Sequence, residues 1–300
     1  MKFFNMDVVE VPINDNSVHL IITSPPYNVG INYDTHADNK PYQEYLDWLT
    51  AVFVQLKDKL VDGGRLCINI APTGVKNFTP IHHDLITNLR KNGYTFVGEI
   101  LWYKQNIKSR TAWGSFGSPR RPYVLPSWEY VYVLQKGTHL TEHIKSIKTR
   151  GAPHAYGKQQ PLGRPDITNE EFVKFTDGFW DIKPEHARKG HPVPFPEDLI
   201  YRLIKLYSYP GNTVLDPFGG SGTVAAVCAK TGRDSIYVDI SENYFRQAQT
   251  RIQSIDIVIP VLCPFCKSNH VVKFGRQRGI KQRYRCTDCK KHFDERKEEL

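Results

Sequence analysis

Val214-Leu215-Asp216-Pro217-Phe218-Gly219-Gly220-Ser221-Gly222-Thr223 decides the fold of this 300-residue chain. Two apolar residues run into an acid, a glycine-rich turn follows, and Val224 to Lys230 then has the composition of a helix that stops at Thr231-Gly232. Strand, turn and helix are the expected elements. Ser235-Ile236-Tyr237-Val238 reads as a second short strand with Asp239 at its carboxyl end. In an open α/β sheet, ligands bind beyond the carboxyl ends of the strands, where glycines let the backbone come close. An acid about twenty residues after the turn is suited to accept hydrogen bonds from ribose hydroxyls, and Asp239 occupies that place. No Gly-Lys-Ser/Thr follows the glycines, which argues against a phosphate-binding Walker loop, and the full GxGxxG pattern of an ordinary NAD site is missing too. A glycine turn alone is also compatible with a merely tight connection.

Working outward, the second informative stretch is Thr23-Ser24-Pro25-Pro26-Tyr27, which ends the apolar run Val18-His19-Leu20-Ile21-Ile22. A hydroxyl carries acceptor lone pairs, and proline keeps its carbonyl. Ser24 Oγ and the Pro25 carbonyl are therefore suited to hold the two hydrogens of an exocyclic amine, with the prolines stiffening the turn. Tyr27 offers an aromatic face to a base taken out of a duplex. In isolation, the same stretch is equally readable as a rigid loop capping a strand.

Taken together, Asp216 to Thr223 and Ser24 to Tyr27 resemble the cofactor and catalytic motifs of the amino-directed DNA methyltransferases, over roughly residues 1–255. The catalytic stretch precedes the cofactor stretch, an order that resembles the circularly permuted β group of that family. The resemblance implies a class I methyltransferase fold: α/β, Rossmann-like, with a mostly parallel sheet. It implies S-adenosyl-L-methionine as cofactor, held by Asp216, Pro217, Phe218, Gly219, Gly220, Ser221, Gly222, Thr223 and Asp239, with Thr23 beside them. Asp7 resembles the acid that meets the cofactor's adenine; His191, Pro194 and Phe195 resemble the motif at its methionine end. Ser24, Pro25, Pro26 and Tyr27 are implied as the catalytic loop. Serine at the first position leans toward N4 of cytosine, whereas N6-adenine members more often carry aspartate there. RNA or protein-glutamine methylation is a lesser alternative, and a non-catalytic zinc-ribbon DNA-binding protein is a remoter one. No Pro-Cys nucleophile of C5-cytosine enzymes is present; Cys67 and Cys228 lie in apolar surroundings and read as buried small residues.

Charge agrees with a polyanionic partner. Forty Lys and Arg against 31 Asp and Glu give a formal net charge of +9 and a pI near 9.1. Double-stranded DNA is the expected partner, with a cognate restriction endonuclease as a further companion open to such an enzyme; monomer and homodimer both stay open. No signal peptide or membrane-length apolar run is visible, and a cytoplasmic enzyme without a membrane partner is expected.

Between the two motifs, Tyr42 to Leu60 has a helical apolar stripe (Tyr45, Leu49, Val52, Phe53, Leu56, Leu60), stopped by Asp62-Gly63-Gly64. Strands are expected at 65–70, 94–103 and 128–134, and a helix at 82–91. The methyltransferase domain is expected over residues 1–258, with target recognition within about 104–190, where basic residues and aromatics sit among Gly, Ser and Pro. Lys108, Arg110, Arg120 and Arg121 are its candidate DNA contacts. The histidines form no HExxH-like pattern and read as surface, turn or DNA-facing residues.

After Pro260 the composition changes. Cys263-Pro264-Phe265-Cys266 and Cys286-Thr287-Asp288-Cys289 are separated by the nineteen residues 267–285, within the window for a four-cysteine zinc site. Four thiolates complete a closed tetrahedral shell, so structural Zn2+ is expected on Cys263, Cys266, Cys286 and Cys289. Residues 271–274 and 282–285 read as a hairpin between the pairs, and 260–300 resembles a zinc ribbon. Arg276, Arg278 and Arg283 belong to a basic array suited to phosphates; a stabilising cap or a dimer contact is the plainer role.

Overall fold

Apolar residues on both sides of nearly every strand require a sheet covered on both faces. A computed structural model of the chain describes residues 1–28, 39–72, 79–105, 114–124, 126–137, 165–185, 195–258, 261–266, 271–277 and 281–294. In chain order the elements are β1 (Lys2–Asn5), one 3-10 turn (Val8–Glu10), β2 (Val18–Thr23), α1 (Tyr42–Lys59), β3 (Leu60–Ile70), α2 (Ile81–Lys91), β4 (Tyr94–Tyr103) and β5 (Trp128–Lys136). Then come α3 (Asn169–Phe175), β6 (Phe179–Asp181), α4 (Glu197–Tyr207), β7 (Thr213–Asp216), α5 (Thr223–Thr231), β8 (Asp234–Asp239) and α6 (Glu242–Gln253). The last three strands are β9 (Val271–Gln277), β10 (Lys281–Cys286) and β11 (His292–Asp294).

The first eight strands form one sheet in the order β1-β8-β7-β2-β3-β5-β4-β6. From β1 to β3 every pair is parallel. β5 runs antiparallel to both β3 and β4, and β6 is parallel to β4. The fold is thus the mostly parallel α/β sheet expected from the glycine turn, with one reversed strand inserted. That insertion places the amino end of β5 at the edge where β2, β3, β7 and β8 end.

Side chains alternate across the sheet with period two. Leu66, Ile68 and Ile70 of β3 join Tyr132 and Leu134 of β5 in the core under α1 and α2. Cys67, Val131 and Val133 face the opposite core, with Leu199, Ile200 and Leu203 of α4 and Val224, Val227 and Cys228 of α5. Burial pushes the Cys67 and Cys228 thiols well up, as inert core residues require.

Two expectations need correction. The stretch Asp62-Gly63-Gly64 does not separate helix from strand; β3 already starts at Leu60. Its register with β2 shifts between Val18↔Leu60 and Leu20↔Arg65, a bulge that Gly63 accommodates with φ 77°. His82 is not a surface residue. It is 6% exposed in the core side of α2, and its ring stacks on Tyr130 at 5.2 Å. Within the span expected for target recognition, the structure adds α3 and β6, which the sequence reading did not include. A capping box between Thr168 and Glu171 starts α3, a signature readable as Thr-x-x-Glu.

The strands after residue 270 form a separate antiparallel sheet, β11-β10-β9, with Tyr284 stacked on Phe293 at 5.7 Å. The hairpin expected at 271–274 and 282–285 is present and longer. No described helix is long and apolar enough to cross a membrane.

Candidate active site

β2 and β7 are neighbours, paired through Leu20↔Val214 and Ile21↔Leu215, so their carboxyl ends emerge side by side. The first continues into Ser24-Pro25-Pro26-Tyr27 and the second into Pro217-Phe218-Gly219-Gly220. Residues distant in sequence therefore share one sheet edge, the edge at which an open α/β sheet binds ligands.

The glycine turn is built against β8. A Cβ at Gly219 would lie 2.2 Å from the Tyr237 ring, so only glycine fits there. Tyr237 Oη donates to the Gly220 carbonyl at 2.8 Å, and Gly219 N–H donates to the Val238 carbonyl at 2.8 Å. Gly222, at φ 73°, caps α5 in the left-handed region, and its missing Cβ leaves room for Ala248. Arg251 secures the far side by donating to the Ser221 carbonyl at 3.1 Å and Thr223 Oγ1 at 3.0 Å. Its other nitrogen meets Glu197 at the start of α4 at 2.8 Å, and Lys230 pairs with the same carboxylate.

Asp239 stands where the sequence places it, at the end of β8. Its Oδ2 accepts from Gly220 N–H and its Oδ1 from Ser241 N–H, both at 2.8 Å. Asp216 is buried, and burial pushes its carboxyl up to about 7 against the opposing pull of the Phe218 N–H and the Thr23 hydroxyl. Asp7, beyond β1, is exposed and caps the 3-10 turn by accepting from Val9 N–H. Phe195 packs against the core beside α4. His191 and Pro194 lie outside the described residues. A backbone stripped of side chains at Gly219 and Gly222, with carboxylates at both strand ends, fits a nucleoside-bearing cofactor.

On the loop after β2, Pro25 is buried and Tyr45 Oη donates to the Pro26 carbonyl. Ser24 Oγ and Tyr27 Oη are 2.7 Å apart. Tyr27 Oη also donates to Glu129 Oε2 at 3.1 Å and accepts from Asn69 Nδ2 at 2.6 Å. Asn69 Nδ2 reaches the same Glu129 oxygen at 2.6 Å, while Lys104 Nζ binds Oε1. The Tyr27 ring is partly buried against the core beneath α1. Its hydroxyl is thus tied into a polar cluster that the sequence reading of an aromatic platform did not include. Asn69, Lys104 and Glu129 were all missed. For Asn69 and Glu129 the signal was a polar residue in an otherwise apolar strand, Leu66-Cys67-Ile68-Asn69-Ile70 and Trp128-Glu129-Tyr130-Val131; Lys104 lies just beyond β4 and carried no such signal.

Among the candidate DNA contacts, Arg120 and Arg121 lie exposed on a turn beside Phe116, which is 82% exposed, and Val124. Lys108, Arg110 and Arg278 lie outside the described residues, as does the side chain of Arg276. Arg283 meets Asp294 of the neighbouring strand at 3.5 Å.

The four sulfurs of Cys263, Cys266, Cys286 and Cys289 all lie within 4.8 Å of one another. Two pairs are 3.5 and 3.6 Å apart. A disulfide would need about 2.05 Å, whereas ligands about 2.3 Å from a tetrahedral zinc are separated by roughly 3.8 Å. Desolvation raises the Cys263 thiol, but the N–H groups of Cys266 and Phe265 outweigh it and bring it below its usual value. The donor set fits zinc.

Comparison with known proteins agrees with this geometry. Residues 18–250 match the family of DNA methylases. The chain is 37% identical over 190 residues to the type II methyltransferase M.MjaVI of Methanocaldococcus jannaschii, covering 63% of this chain and 89% of that protein. It is 31% identical to the type II methyltransferase M.HpaI of Haemophilus parainfluenzae, over 81% of this chain and 70% of that protein. Among solved structures, the S-adenosyl-L-methionine complex of a DNA modification methylase from Thermus thermophilus has a TM-score of 0.61 at 27% identity, over 84% of this chain and 92% of that one. The cytosine-N4-specific PvuII DNA methyltransferase, at 18% identity and a TM-score of 0.59 over 85% of this chain and 87% of that one, shares the fold.

Proposed function

The chain belongs to the DNA methylase family, and we propose that within it this protein methylates the exocyclic N4 amine of cytosine at a specific site in duplex DNA. It is an S-adenosyl-L-methionine-dependent DNA amino-methyltransferase. When bound, the cofactor supplies an electrophilic methyl group on a sulfonium. The target nitrogen is a weak nucleophile, because its lone pair is delocalised into the base. Ser24 Oγ and the Pro25 carbonyl accept its two hydrogens and favour a pyramidal nitrogen. Asp216 to Thr223 and Asp239, with Thr23 beside them, would hold the nucleoside, Asp7 would meet the adenine, and His191, Pro194 and Phe195 would complete the methionine end. Catalysis comes from positioning and hydrogen bonding, with no covalent enzyme intermediate. The base reaches this loop by flipping out of the duplex.

The observation that carries this reading is the emergence of the Ser24 loop and the glycine turn side by side, from adjacent parallel strands. Cytosine is favoured because the first position of the loop is the neutral Ser24. The order of the two motifs suits the permuted β group. Basic residues and exposed Phe116 suit residues 104–190 to target recognition. Zn2+ on the four cysteines would hold residues 260–300 together, and a cognate restriction endonuclease is a fitting companion of such a cytoplasmic enzyme.

Nucleoside mass spectrometry tests the reading directly. After incubation with methyl-labelled S-adenosyl-L-methionine and unmodified DNA, label is expected in N4-methylcytosine. Label in N6-methyladenine would keep the loop and reverse the base; no labelled DNA base, despite cofactor binding, would overturn the substrate.

A further inference from the structure

We propose that Glu129 is a positioning residue that acts through Tyr27 to fix the Ser24 hydroxyl as a hydrogen-bond acceptor. The inference rests on the reading of Ser24 as the group that receives the substrate amine. A phenol has one proton to donate, and a serine hydroxyl has one proton and two lone pairs. Among the described residues, three oxygens near Tyr27 Oη could take its proton: Glu129 Oε2 at 3.1 Å, the Asn69 carbonyl at 3.3 Å and Ser24 Oγ at 2.7 Å. If the proton went to Ser24, a Ser24 lone pair would be spent and its own proton would turn outward. That would set a donor against the amine hydrogens.

Glu129 decides the direction. It is 8% exposed, its Oε1 holds Lys104, and its Oε2 holds Asn69. Hydrogen bonds to an ionised acceptor are roughly twice as strong as neutral ones, so the Tyr27 proton points to Oε2. Asn69 Nδ2 then fills one Tyr27 lone pair at 2.6 Å, and the short contact with Ser24 must be Ser24 O–H donating to Tyr27. Both Ser24 lone pairs are left for the substrate, and no other partner of Ser24 exists among the described residues. The reversed strand β5 brings the groups together. Its amino end carries Glu129 to the edge where β2 and β3 deliver Ser24 and Asn69. A carboxylate that only stapled β4 to β5 would have no need to reach the loop.

The test is single-turnover methyl transfer to DNA, with cofactor affinity, DNA affinity and thermal midpoint measured for each variant. Glu129→Gln offers Tyr27 a donor in place of an anion, and Tyr27→Phe removes the bond while keeping the ring. Each is expected to slow transfer by about 10²-fold, the scale set by losing one oriented catalytic hydrogen bond. Affinities should stay within about threefold. The double variant should be no slower than Tyr27→Phe alone, because Glu129 acts through that hydroxyl, and Glu129→Asp should recover part of the rate. Transfer within about threefold of wild type in Tyr27→Phe overturns the proposal, and so does a multiplicative loss in the double variant. Tyr27→Phe leaves the Lys104 pair intact, so it decides the matter if Glu129→Gln fails to fold. Ser24→Ala separates the two readings. If it is inactive while Tyr27→Phe is active, only the relay is wrong; if Ser24→Ala itself transfers normally, the amine-acceptor loop is wrong.

Discussion

Gly219 and Tyr237 are in such close contact that a Cβ on the glycine would overlap the phenol ring, at 2.2 Å from its nearest carbon. Tyr237 in turn donates to the carbonyl of Gly220 at 2.8 Å, so the strand β8 shapes the turn after β7 directly. Gly219→Ala must push the ring or the turn aside. Overpacking of this kind costs about 1–3 kcal/mol. A lower thermal midpoint and a cofactor affinity weakened by more than about tenfold are expected by calorimetry; an unchanged affinity would show that the turn does not hold the cofactor.

Arg251 of α6 holds the same turn through two further bonds. Replacing it with Met removes the bonds to the Ser221 carbonyl and Thr223 Oγ1 while keeping most of the side-chain volume. Loss of a charged hydrogen bond is worth about 1.5–3 kcal/mol. Cofactor titration should show an affinity loss of at least roughly tenfold, with the rate at saturating cofactor nearly kept.

Asp216 makes the stability of the cofactor-free protein depend on pH. Its carboxyl titrates at about 7 in the folded chain against an ordinary value of 3.8, because burial disfavours the charge. The folded state therefore holds the proton more tightly. This contribution is complete below 3.8 and is lost as pH rises through about 7. Urea unfolding of wild type should show stability falling between pH 3.8 and about 7 and levelling off above, and Asp216→Asn should flatten that fall. An equally steep decline in the variant would assign it to other groups.

Zinc analysis should return one ion per chain, held by Cys263, Cys266, Cys286 and Cys289. Excess chelator should expose these four thiols to a thiol reagent, with Cys67 and Cys228 reacting only after denaturation. A folded metal-free ribbon, with all its strands kept, would contradict the dependence of such a small unit on its metal.

Arg120 and Arg121 are exposed on their turn and suited to phosphate contacts. Their double replacement by Ala should weaken binding to any DNA duplex and reduce the slope of log affinity against log salt by about 2. A loss confined to one target sequence would instead make them base readers.

The chain by itself determined the local chemistry: the glycine turn, the Ser-Pro-Pro-Tyr loop, the Cys-x-x-Cys pairs and the helical stripe of α1 each depend on neighbours a few residues apart. Those patterns were legible because turn geometry, metal-ligand spacing and helical periodicity are local constraints. Only the tertiary structure decided that β5 runs backwards between β3 and β4, and that choice collects Ser24, Tyr27, Asn69, Lys104 and Glu129 at one edge. Strand order follows from which faces bury together across the whole sheet, a sum over distant contacts that no short pattern encodes. In the sequence, Glu129 is one charge beside the apolar run Tyr130-Val131-Tyr132-Val133-Leu134. Its partners come from the loop after β2, from β3 and from just beyond β4, and the low dielectric between those elements makes the pairing matter.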